Sequence, residues 1–67
     1  MGVDVPIVQI SLLEGRDDEA KTRLVKRVTA AVAESLRADP KSVRVLLYEM
    51  PPANFAAGGR QKSESKN

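Results

Sequence analysis

The charged run from Asp17 to Arg37 most constrains how this chain can fold, because it separates two short apolar segments. Ala20, Leu24, Val25, Val28, Val32 and Leu36 recur at three- and four-residue steps, which predicts one broad apolar helical face. Lys26, Arg27, Glu34 and Arg37 fall off that face. Lys21 falls at its edge, where the alkyl stem can cover apolar surface while the ammonium reaches water. Asp17 is a suitable N-cap, since its carboxylate can accept from the free amides of the first turn. Asp18 and Glu19 then suit the positive end of the helix dipole. Asp39-Pro40 marks the end, because a residue before proline avoids helical angles. A helix is predicted over residues 18–37.

The flanking segments read as strands. From residue 5 to 13, Gln9 and Ser11 alternate with Val8, Ile10 and Leu12, the period-two pattern of a half-buried strand. Pro6 fits only the start or an edge of that strand. Glu14-Gly15-Arg16 breaks the pattern. The second strand is predicted over residues 43–48, with Glu49 and Met50 as an extension. It carries Val43, Val45 and Leu47 on one face and Arg44, Leu46 and Tyr48 on the other. Pro51-Pro52 ends it. Residues 53–59 suit a tight turn or small hairpin, with Phe55 the only bulky side chain. Residues 60–67 read as a mobile polar tail.

Two strands joined by a long helix pair most simply in parallel, through a right-handed crossover. The predicted fold class is therefore α/β (α+β), a β-α-β unit in a single domain of 67 residues. One helix on two strands leaves a sheet face and both edges open. A domain of this size buries only about 60% of its unfolded surface. The chain has no cysteine for a crosslink, few large side chains and no evident metal site. Its core should be completed by other copies, so an oligomer is expected.

Composition also narrows the chemistry. Without histidine or cysteine, the commonest general base, Ser-His-Asp catalysis and most zinc sites are excluded. One Tyr, one Phe and no Trp cannot make a base-stacking platform. A net charge of +2 does not imply nucleic-acid binding, and Glu34 shares the helix side of Lys26, Arg27 and Arg37. No apolar run approaches a membrane span, and the first five residues lack the regions of a signal peptide. The expectation is a cytoplasmic protein with no nucleic-acid or membrane partner.

The residues left to carry chemistry are Pro6, Arg16 and Arg44, with Leu13 and Phe55 as apolar walls. Each has an ordinary reading: a strand-start proline, surface arginines, a hairpin anchor. Arg44, however, lies inside a strand on the face of Leu46 and Tyr48, an odd place for a simple surface arginine. Two guanidinium groups suit an acid bearing a carboxylate and an adjacent keto or enol oxygen.

In order, the chain shows a proline, LLEGR after a strand, DDEAK opening a helix, SVRV opening the second strand, then EM, NF and GG. This set resembles the 4-oxalocrotonate tautomerase family over residues 6–59. The resemblance implies a β-α-β unit with a short C-terminal hairpin. It also implies subunits that pair as dimers and assemble as a homohexamer, with sites drawing on more than one subunit. It makes Pro6 the catalytic acid/base, places Arg44 on the 2-oxo and carboxylate end of a small dicarboxylate or 2-oxo acid, and places Arg16 on the distal carboxylate. Leu13 and Phe55 line the substrate, and no cofactor or metal is called for.

In the family the proline is terminal and its secondary amine is the base. Here residues 1–5 precede the domain at 6–59 and the tail at 60–67. An internal Pro6 nitrogen is an amide with no basic lone pair. Two readings follow: a tautomerase acting on 2-hydroxy-dienoate or 2-oxo-enoate acids such as 2-hydroxymuconate, or a catalytically silent oligomer of the same fold. Hydration or dehalogenation ranks below these, because no additional carboxylate is clearly placed to activate water.

Overall fold

The computed structural model describes residues 5–64. The lead-in at residues 1–4 and the last part of the expected tail, 65–67, lie outside the described residues. β1 spans Ile7–Leu13, α1 spans Asp18–Leu36 and β2 spans Arg44–Met50. β1 and β2 pair in parallel, from Ile7 opposite Arg44 to Leu13 opposite Met50. β1 starts two residues later than the apolar pattern, because Pro6 has no N–H to give to the ladder. Its carbonyl enters instead, accepting the Arg44 N–H at 2.9 Å.

α1 begins as the sequence predicts. Asp17 has extended backbone and accepts the Ala20 N–H at 2.9 Å, and Asp18 and Glu19 fill the first turn. The helix stops before Asp39-Pro40. Arg37 turns into the left-handed region at φ 56°, and the Ala38 N–H reaches back to the Ala33 carbonyl at 3.0 Å. Asp39 then caps a short 3-10 turn, Pro40–Ser42, by accepting the Lys41 N–H at 2.9 Å.

The core is thin. Ala33 and Val43 are the only buried residues among those described. Val8, Ile10, Leu12, Val45 and Leu47 are half-buried, as are Ala20, Leu24, Val25, Val28 and Val32 on the helix. Leu36 does not join them. It lies in the last turn and is 57% exposed, while the smaller Ala33 occupies the buried position. The other sheet face is uncovered, with Ile7, Leu46 and Tyr48 all exposed.

After β2, a 3-10 turn at Pro52–Asn54 leads into β3, Ala56–Ala57, which pairs antiparallel with β4, Arg60–Gln61. Gly58 and Gly59 take φ of 62° and 81°, the positive angles of a two-residue hairpin turn that suits glycine. Residues 60–64, expected to belong to a mobile polar tail, are instead structured. Arg60 and Gln61 form the return strand, and Lys62–Glu64 adds a 3-10 turn. Composition missed this because backbone hydrogen bonds, not apolar side chains, hold the segment: the Lys62 N–H donates to the Phe55 carbonyl at 2.7 Å. All four strand residues of the hairpin are exposed.

Candidate active site

Parallel pairing divides the five sequence-predicted residues between the two ends of the sheet. Pro6 and Arg44 share the end where both strands begin. They are joined through the Arg44 N–H and the Pro6 carbonyl, and Pro6 is half-buried. The Arg44 side chain lies on the face away from α1, next to exposed Ile7 and in line with Leu46 and Tyr48. Its Nη1 donates to the Lys41 carbonyl at 2.9 Å, which anchors the guanidinium above this end. Among the described residues this is the only side-chain bond of Arg44, which leaves four of its five N–H donors for other acceptors. The Pro6 nitrogen is acylated by Val5 and carries no basic lone pair in this state.

Leu13 and Arg16 lie at the opposite end, where β2 also finishes before the segment that carries Phe55. Leu13 is half-buried, and its carbonyl lies 3.4 Å from Arg16 Nη1, too long for a strong bond. Arg16 stands exposed in the loop before the N-cap, after Gly15 at φ 127°. The Glu14 N–H donates to the Met50 carbonyl at 2.9 Å and closes the sheet at this end. Phe55 is 44% exposed. Its backbone is held by its N–H to the Pro52 carbonyl at 3.2 Å and by the Lys62 N–H.

β1 has seven residues, so the two groups stand about 20 Å or more apart at about 3.3 Å per residue. No small acid reaches both.

One feature was only partly legible. Lys21, expected to snorkel at the rim of the helix, donates to Glu49 Oε1 at 3.1 Å and lies 3.6 Å from Asp18. The hydrogen bond to Glu49 chiefly raises the lysine pKa above its ordinary 10.5, partial desolvation opposes the rise, and the two carboxylate charges add to it. Glu49 as a partner was missed. The signal was there: strand alternation puts it on the face of Val45 and Leu47, toward the helix. Beside the bridge an open groove of about 620 Å³ runs between α1 and β2, lined by Asp18, Lys21, Thr22, Val25, Lys26 and Leu47. Among the described residues no carboxylates cluster closely enough to hold a metal ion, and no helix is long and apolar enough to cross a membrane.

A β-α-β subunit with two parallel strands, a proline and an arginine at their starts and a small C-terminal antiparallel hairpin defines a mixed α+β fold. The chain belongs to the tautomerase family: the family model described as "Tautomerase enzyme" matches residues 6–65, beginning at Pro6. A 2-hydroxymuconate tautomerase of Stutzerimonas stutzeri is 49% identical over 55 residues, covering 82% of this chain and 87% of the relative. A probable tautomerase of Halalkalibacterium halodurans is 45% identical over 60 residues, covering 90% and 98%. Among solved structures, a heterohexamer 4-oxalocrotonate tautomerase from Chloroflexus aurantiacus superposes with a TM-score of 0.85 at 32% identity, covering 88% of this chain and 95% of that one. A 4-oxalocrotonate tautomerase isozyme from Methylibium petroleiphilum gives 0.84 at 38% identity, covering 87% and 91%.

Proposed function

We propose that this protein is a cytoplasmic homo-oligomeric tautomerase that moves a proton within 2-hydroxy-dienoate or 2-oxo-enoate acids, of which 2-hydroxymuconate is the model. The observation that carries the proposal is the meeting of Pro6 and Arg44: the residue where the family match begins is hydrogen-bonded to the backbone of the arginine that opens β2.

The proposed chemistry requires Pro6 to be N-terminal. Its secondary amine then takes the proton of the 2-hydroxyl group. The electron pair moves through the diene, the 2-oxo group forms, and the same amine returns the proton to carbon at the far end of the conjugated system. Arg44 holds the carboxylate and the developing oxo group, where negative charge grows in the transition state. Its positive charge also lowers the amine pKa toward the working pH. Arg16 binds the distal carboxylate. Because Arg16 stands at the far end of its own subunit, the one that completes a site comes from another copy. Leu13 and Phe55 wall the pocket and reduce solvation. The exposed apolar sheet face, together with a hairpin that packs little against its own subunit, supports assembly. The catalytic unit begins at Pro6, after the lead-in at 1–5, and extends past residue 59 through the return strand of the hairpin.

The Val5–Pro6 peptide bond supports a second reading, in which the acylated form is catalytically silent. One experiment separates the two. The full chain and a chain beginning at Pro6 after methionine removal are assayed on 2-hydroxymuconate, with intact mass confirming each N-terminus. The trimmed form should be much faster, with a pH-rate limb reporting a depressed amine pKa. Equal rates and identical pH profiles would remove Pro6 as the base.

A further inference from the structure

We propose that the Lys21–Glu49 ion pair is a positioning device for the distal half of the site, acting through Arg16; this rests on the tautomerase reading above. Arg16 has little of its own to hold it. Residues 14–17 are all exposed, Gly15 lies at φ 127°, and among the described residues the one side-chain bond of Arg16 is the long contact to the Leu13 carbonyl at 3.4 Å. Its position is therefore set by the two ends of its loop, and these belong to different layers. One end is tied to the sheet by the Glu14 N–H on the Met50 carbonyl, and the other is the N-cap of α1.

How firmly helix and sheet are joined there decides where Arg16 stands. The two buried residues do not join them at this end. Ala33 lies in the last turns of α1, and Val43 immediately precedes β2. Both serve the Pro6 and Arg44 end. At the Arg16 end the packing is only half-buried, through Ala20 and Leu24 among others, and the directional contact is Lys21 Nζ to Glu49 Oε1 at 3.1 Å. The Lys21 side chain is 26% exposed and that of Glu49 is 32%, so the bridge is partly shielded from water. Lys21 follows Arg16 by little more than one helical turn. Glu49 precedes Met50 and the Pro51-Pro52 segment that leads to Phe55. One contact thus joins the segment carrying Arg16 to the segment carrying Phe55. Asp18, 3.6 Å from Lys21 but fully exposed, adds charge without reaching the sheet.

The test uses the active form beginning at Pro6 and two substrates: 2-hydroxymuconate, with a distal carboxylate, and the enol of phenylpyruvate, without one. Lys21→Met keeps the stem and removes the charge, and Glu49→Gln keeps the shape. Each should raise KM for the dicarboxylate about three- to fivefold, leave its kcat within about twofold, and leave both constants for the monocarboxylate nearly unchanged. The charge swap Lys21→Glu with Glu49→Lys should return the dicarboxylate KM most of the way to the parent value. Parent-like KM in both single variants overturns the proposal. So does failure of the swap to rescue, because a lysine touching substrate directly cannot be replaced from β2. Equal losses on both substrates, or loss of the assembled state in Glu49→Gln, would make the pair a general structural support and also overturn it. An inactive parent enzyme would instead refute the tautomerase reading itself.

Discussion

If active sites form across subunits, two dead enzymes should make a live one when mixed. Arg44→Ala and Arg16→Ala each remove a charged donor from the proposed site. Losing such a preorganised group costs about 2–4 kcal/mol of transition-state stabilisation, so each homogeneous variant should be roughly 30- to 900-fold slower in kcat/KM. Within a subunit these arginines lie at opposite ends of β1, which is seven residues long. The proposed site therefore takes its Arg44 and its Arg16 from different copies. When equal amounts of the variants are unfolded together and reassembled, half of the Arg44 positions and half of the Arg16 positions are intact. Random pairing makes about one quarter of all sites complete, and activity should rise to about one quarter of the parent's. The assay is 2-hydroxymuconate turnover on mass-tagged subunits, with native mass spectrometry to verify mixed oligomers. A mixture no more active than the average of its parts, with mixed oligomers present, would refute the shared site. It would mean that both arginines serve the same subunit's substrate or that neither serves any.

Two further perturbations address the assembly and the helix-to-sheet bridge. Tyr48, at 50% exposure on the uncovered sheet face, offers roughly 75–125 Å² for burial, or about 2–3 kcal/mol per subunit at about 25 cal/mol/Å². Tyr48→Lys forfeits this and introduces a charge that is costly to bury. Sedimentation at micromolar concentration should show dissociation with loss of activity; a parent-like oligomer would mean that this face is not the interface. Lys21 has a raised pKa, so the contribution of its charge to the folded state is complete below 10.5 and is lost as pH rises through the higher folded value. The groups facing its ammonium are the Glu49 and Asp18 carboxylates. The difference in Tm between parent and Lys21→Met should therefore be present at neutral pH and close above 10.5; a constant difference would show that the charge is not what matters.

Much of the fold is written in local sequence, where nearest neighbours on the chain decide the outcome. Asp17, Asp18 and Glu19 start α1 through bonds and charges within one turn. Strand alternation in Val8, Ile10 and Leu12 marks the half-buried face of β1, and Pro51-Pro52 ends β2. The helix end was less legible, because Arg37 carries no sign of the left-handed turn it adopts. Periodicity also marked Leu36 as part of the buried face when it is exposed, and passed over Ala33, which is buried. A repeat identifies a side of the helix but not which turns find a partner across the gap. The return strand Arg60–Gln61 was hidden by its polar composition, since main-chain bonds hold it.

The candidate residues Pro6, Leu13, Arg16, Arg44 and Phe55 could all be named from the sequence and its resemblance to a known family. Their grouping could not. Parallel pairing sets Pro6 beside Arg44, although α1 and its loops separate them along the chain, and sends Arg16 to the far end, although far fewer residues separate it from Pro6. The same pairing brings Glu49 under Lys21. Caps, turns and alternation depend on a few adjacent residues and can be read in order. Which side chains share a site depends on how distant segments pair in space, so only the tertiary structure decided it.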